Sequence, residues 1–427
     1  MRRHGSRRCG LVITMAVMAI GLAGARPARA DDRADVSTTY YFESRQGGQG
    51  GLSVIHPQVD LGVDLGDNVA LGAGYSADVV SGATAAVYRV DAVSAATTLD
   101  DVRHEGQLSL GFKGRRSALT FSGSVGTESD YNSITVGASG NIDLPGKNTN
   151  LALSYNHNFD QVCDKENAML GVLDRKPLTL SEDCLKENGI RGVDSPETQT
   201  VWRDLTIDTV QATLTQNLTP TANLQISLYG QVLDGFQSNP YRRVLVGQNE
   251  AQESVPEVRG RLALTVRANR FLPPLRAAVH GSLRGYSDTW GVSSAAVELG
   301  YSQYLGSSLL VRFRSRIYQQ SGATFFKDAF LYETESSAGS FFTGDRELAP
   351  VRNILLGGKL ALLSKAGEGK KAWRLFERAE FNIKADILFL DELAAGDVSD
   401  DLRQTQFLTS DQLLDVIVLQ LGVLLAY

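Results

Sequence analysis

Apolar and polar residues alternate along most of this chain. Val59, Leu61, Val63 and Leu65 are separated by Asp60, Gly62 and Asp64, and after Gly66-Asp67-Asn68 the pattern resumes with Val69, Leu71, Ala73 and Tyr75. The same rhythm places Leu108, Leu110 and Phe112, then Leu224, Ile226, Leu228 and Val232, then Leu262, Leu264 and Val266, each on one face of a segment. Successive side chains of a strand point to opposite sides, so every such segment offers one face to lipid and the other to water. No apolar run beyond the first thirty residues is long enough to cross a bilayer as a helix. Strict alternation repeated along a chain is the template of an all-β, antiparallel, up-and-down transmembrane β-barrel.

The pattern predicts about sixteen strands, over 36–45, 52–65, 68–80, 104–113, 117–127, 131–142, 149–159, 204–217, 222–233, 256–269, 275–287, 291–304, 307–319, 348–363, 373–389 and 412–427. The connections between them sort into two classes. Those at 66–67, 114–116, 143–148, 218–221, 270–274, 305–306 and 364–372 are short and rich in turn-forming residues. The long ones, 81–103, 160–203, 234–255, 320–347 and 390–411, all alternate with them and so fall on the opposite rim. Short periplasmic turns and longer extracellular loops are the habit of bacterial outer-membrane barrels.

Both ends of the chain agree with export to the outer membrane of a Gram-negative bacterium. Arg2, Arg3, Arg7 and Arg8 precede the apolar stretch Leu11 to Leu22, and Ala28-Arg29-Ala30 offers small residues for cleavage. Residues 1–30 therefore read as a signal peptide, and 31–427 as the barrel. At the other end Ile417, Leu419, Leu421, Val423, Leu425 and Tyr427 are apolar at every second position. This looks like the terminal strand signal that the barrel-assembly machinery reads. Expected partners are that machinery and outer-membrane lipids. A net charge of −6 argues against nucleic acid.

Phase also assigns the interior. Arg259, Arg261 and Arg267 share one face, as do Arg276, His280 and Arg284; Arg312, Arg314 and Arg316; and Arg374, Arg378 and Lys384. A cation facing lipid at mid-membrane costs about 2–4 kcal/mol, so these faces are expected to line the lumen. Glu298, Glu380 and Asp386 share inward faces and are candidates to pair with some of them. Two readings stand: a cationic wall that favours small anionic solutes in a barrel wide enough for a channel, or a salt-bridged lining of a plugged barrel.

Cys9 lies in the signal peptide, leaving Cys163 and Cys184 in the connection 160–203; an even pair in an exported chain predicts a disulfide. The chain has no C-x-x-C, G-x-S-x-G or H-E-x-x-H motif. A barrel hydrolase would have only His157 to build on, placed outward with Leu153 and Tyr155 and without a serine constellation, so no enzymatic activity and no metal site are expected.

The end of the third segment and the loop after it carry one pattern twice. Asp78-Val79-Val80-Ser81-Gly82-Ala83-Thr84 is followed thirteen residues on by Asp91-Ala92-Val93-Ser94-Ala95-Ala96-Thr97. The first copy resembles the sequence on whose final threonine flavin transferases place FMN, which implies Thr84, and less well Thr97, as sites of covalent flavin. The second copy departs from it at Ala95. From Asp78 to Phe159, the doubled motif, Arg103, Glu105, Glu128-Ser129-Asp130-Tyr131 and Asn148-Thr149-Asn150 together resemble a family of outer-membrane proteins known only as a domain of unknown function. That resemblance implies the barrel and its location. The functional expectation is a porin-like channel or the barrel component of an envelope complex. The alternative is a flavinylated barrel taking part in extracytoplasmic electron transfer.

Overall fold

The computed structural model describes residues 32–44, 53–81, 101–167, 198–239, 243–246, 249–327, 339–365, 378–392 and 414–426. In chain order the strands are β1 (Arg33–Ser44), β2 (Ser53–Asp64), β3 (Val69–Ser81), β4 (Asp101–Lys113), β5 (Ser117–Thr127) and β6 (Tyr131–Asp143). They continue with β7 (Thr149–Asn167), β8 (Thr198–Thr219), β9 (Ala222–Gly235), β10 (Arg243–Val246), β11 (Asn249–Gln252) and β12 (Val258–Leu272). The last six are β13 (Ala277–Asp288), β14 (Ser293–Leu305), β15 (Leu309–Gln320), β16 (Val351–Lys365), β17 (Arg378–Glu392) and β18 (Leu414–Ala426). All but β10 and β11 pair antiparallel with their neighbours in a closed barrel, in which β1 meets β18 from Arg33↔Ala426 to Ser44↔Asp415. Each of the sixteen strands expected from the alternation is present. Closure leaves no barrel strand with an unpaired backbone edge, the condition for residence in hydrocarbon.

The two faces differ as the period requires. Leu108, Leu110, Phe112, Leu262, Leu264, Leu299, Phe313, Ile317, Leu356 and Leu421 are exposed on the outer face, which is therefore an apolar belt. Across the closing seam Ala34, Ala379 and Leu425 are buried against one another.

The two largest departures from the alternation lie in long connections. β7 and β8 pair as far as Asn167↔Thr198, well beyond the expected end near residue 159. Cys163 is consequently a strand residue opposite Trp202, not a loop residue, and it is fully buried. The connection 234–255 contains the hairpin β10–β11, which the alternation does not announce.

One expected lumen residue is displaced. Arg276 lies outside β13, as the closing residue of the 3-10 turn Pro273–Leu275, at φ 48° and exposed. Two consecutive prolines start this turn, and an L-residue in the left-handed region ends it, so the strand begins at Ala277, two residues later than expected.

Candidate functional site

The inner wall is the surface on which this fold gathers chemistry. Register fixes its composition strand by strand. From the long-loop mouth downward, one first meets Arg259 on β12 and then Arg261, opposite Gln231 on β9. Next comes Ala263, with Tyr229 and Tyr286 on either side. Arg284 follows, opposite Thr265. Arg267 and Arg316 come next, linked through Ser282 and Glu298. Arg314, opposite Gly300, and Arg312, opposite Ser302, complete the series. Rows of one face are two residues apart, or roughly 7 Å along a strand. The arginines thus descend the wall in steps. Arg284 and Arg312 are exposed although they point inward, so solvent reaches the lumen beside them.

Carboxylates compensate only some of these cations. Arg259 donates from Nε and Nη2 to Asp288 Oδ2 at 2.9 and 2.5 Å, and its guanidinium stacks 4.2 Å from the Trp290 ring centre. Arg314 donates to both oxygens of Asp386 at 3.0 and 2.7 Å, and Lys384 lies 3.0 Å from the same carboxylate. Glu380 receives Lys359 at 3.3 Å and Arg378 at 3.4 Å, while Glu298 faces His280 at 3.3 Å. Two glycines make these reaches possible. A Cβ on Gly357 would lie 2.0 Å from Asp386 Oδ1, and one on Gly300 would lie 2.0 Å from the His280 ring. Among the described residues, Arg261, Arg267, Arg284, Arg312 and Arg316 have no ion-pair partner. Arg261 donates to Gln231 at 3.0 Å and Arg267 to Asn269 at 3.2 Å, both neutral groups.

On β8 and β9, directly beside the arginines, the wall is neutral and hydroxylated. Gln231 donates to Thr209 at 3.0 Å, and Thr213 bonds Ser227 at 3.0 Å. Farther round the barrel, charge is frequent: Lys113 bonds Asp64 at 2.8 Å, His56 bonds Asp78 at 2.6 Å, and Asp35 stands opposite Asp60 in the register. At the long-loop end Val255, Trp290, Val292, Ala323, Phe326, Leu348 and Ala349 form an apolar cluster beside the Arg259–Asp288 pair. The connection that carries β10–β11 supplies Val255 to this cluster, bridges Phe342 through Ser254, and reaches β7 where Gln252 donates to buried Asp164 at 3.0 Å.

The family model described as "Protein of unknown function (DUF3570)" matches residues 86–370. The chain belongs to this family. No curated protein matches the sequence. Three solved structures are similar in shape. "Bacterial polysaccharide outer membrane secretin" is 9% identical, with 94% of this chain and 100% of that chain covered and a TM-score of 0.48. "CymD monoaromatic hydrocarbon channel" is 10% identical over 93% and 88%, at 0.37. "Outer-membrane expressed OmpT of Vibrio cholerae" is 9% identical over 94% and 99%, at 0.38.

In this DUF3570 protein, part of the segment that carried the family resemblance comes together on the inner wall. Arg103 lies 3.7 Å from Glu105 and 5.5 Å over the Tyr131 ring, Asp78 is opposite Arg103, and the Tyr131 hydroxyl donates to buried Asp160. Asn150 donates to Asp143 at 2.7 Å near the short-turn rim. Thr84, Thr97 and Cys184 lie outside the described residues, as does the signal peptide. His157 points outward, as its phase required, and donates to Asp208 at 2.8 Å; Tyr155 donates to the same oxygen at 2.5 Å. Asp288, Lys359 and Asp160 were not anticipated. Asp288 follows directly on the expected eleventh strand, and only its register opposite Arg261 places it among the arginines.

Proposed function

We propose that this DUF3570 protein is a porin-like outer-membrane channel that prefers small anions. The observation that carries this reading is the descending series Arg261, Arg284, Arg267, Arg316 and Arg312, none with an ion-pair partner among the described residues. Their guanidiniums face a lumen instead of the apolar belt, where each would cost about 2–4 kcal/mol. At physiological ionic strength the Debye length is about 8 Å, close to the spacing of successive rows, so the fields of neighbouring arginines overlap along the wall. An anion moving down that side passes from one cation to the next, while a cation meets repulsion.

The apolar cluster at the mouth supports a second reading, a barrel whose loops narrow it around another envelope component. Conductance separates the two. Purified protein in planar bilayers should conduct, with a reversal potential displaced toward that of the anion under a salt gradient. A folded, heat-modifiable protein that inserts and passes no current contradicts the channel. The location has its own check: the mature chain should begin at Asp31 and fractionate with outer membranes.

A further inference from the structure

Arg259 and Arg261 share the inner face of β12 near the mouth, yet their surroundings are opposite. Arg259 is neutralised by Asp288, whose side chain is fully buried, and is covered by Trp290. Tyr286 also donates to Asp288, at 2.8 Å. With these bonds Asp288 Oδ2 serves Arg259 and Tyr286, while Oδ1 accepts the backbone N–H groups of Trp290 and Val292 at 3.0 and 2.9 Å. No hydrogen bond from Asp288 reaches Arg261, although Arg261 stands directly opposite it in the register. Arg261 instead has one bond from Nη1 to Gln231, and its Nε is buried with no partner. Arg259, Tyr286, Tyr229 and Asp288 all lie within electrostatic reach of it.

A buried donor on a guanidinium is costly to leave unmade, and a second guanidinium on the same face adds repulsion. An oxyanion bonded by the Arg261 guanidinium would offset both penalties. A guanidinium presents two parallel N–H groups that match two oxygens of one phosphate or carboxylate, a fit that a halide cannot use. The row below supplies the rest of a cradle. Ala263 is buried between Tyr229 and Tyr286, and Arg284, exposed and without an ion-pair partner, comes next. We infer that Arg261, with Gln231, Tyr229 and Arg284, forms an oxyanion-binding station just inside the extracellular mouth, walled on one side by Tyr286, whose hydroxyl proton is committed to Asp288. Its ligand class is a small solute carrying a phosphate or carboxylate group. The inference rests on the anion-channel reading and names the solute that such a channel would select.

Equilibrium binding tests the station without requiring current. Detergent-folded protein titrated calorimetrically with inorganic phosphate, in a constant chloride background, should show saturable binding. Arg261→Gln should weaken it by about tenfold or more, the loss of one charge-assisted bond. Arg261→Lys, which keeps the charge and discards the fork, should also weaken it. Arg270→Gln, at an exposed position on the outer phase of β12, should leave binding as in wild type. A parallel titration with acetate distinguishes a carboxylate site from a phosphate site. Absence of saturable binding of either anion to wild type overturns the proposal, as does wild-type affinity in Arg261→Gln. Binding without bilayer current would retain the station and refute the channel; current with no oxyanion binding would do the reverse.

Discussion

Arg314 on β15 bonds Asp386 on β17 across the full width of the strand between them. The row runs Arg314, Gly357, Asp386, and the missing side chain on β16 is what lets the guanidinium lie flat and reach both carboxylate oxygens. A Cβ at Gly357 would stand 2.0 Å from Asp386 Oδ1 and 3.0 Å from Arg314 Cγ. Gly357→Val should therefore part the pair and leave Asp386, nearly buried, with Lys384 alone. The expected cost is about 1–3 kcal/mol, read as a lower urea midpoint for the barrel folded into vesicles. Asp386→Asn tests the electrostatic side of the same contact. It frees Arg314 to join the uncompensated series, so anion preference should rise; an unchanged reversal potential would mean that Arg314 does not face the ion path.

The disulfide Cys163–Cys184 is expected to cap the extension of β7 and β8 above the belt. Cys163 is fully buried there. Closing that ring stabilises the segment by about 3 kcal/mol in the chain-entropy model. Reduction should loosen this extension and leave heat-modifiability unchanged, because the barrel closes without it. Two titratable thiols in the native, unreduced protein would refute the pairing.

The doubled threonine motif makes a separate prediction. Co-expressed with a flavin transferase, the wild type should show in-gel flavin fluorescence. Thr84→Ala should abolish most of it and Thr97→Ala less, since the first copy fits the motif better. A dark wild-type band removes flavin from the account.

The sixteen strands were legible because lipid on one side and water on the other force a period of two. Where that asymmetry ends, so does the signal. Residues Asp160 to Asn167 extend β7 above the apolar belt and read as loop, and the four-residue strands of the β10–β11 hairpin are too short to show a period. Arg276 kept the right parity for the lumen but sits in a proline-led turn, which parity alone cannot separate from a strand start. The arginines of the wall were legible one strand at a time. Which of them is neutralised was not, because Arg314 meets Asp386 two strands away and Arg259 meets Asp288 rather than a neighbour in sequence. Phase chooses a face; only register chooses a partner.

If the arginines without ion-pair partners set the selectivity of an open lumen, the ion preference must follow them. The most direct test is the reversal potential of single channels under a salt gradient, for wild type and for Arg284→Gln/Arg312→Gln/Arg316→Gln. These three lack ion-pair partners among the described residues, and two of them are solvent-exposed inside the barrel, so their loss should leave folding intact. The wild type should reverse toward the anion potential, and the triple variant should move toward or past zero with conductance retained. A conducting triple variant with wild-type selectivity would contradict the account.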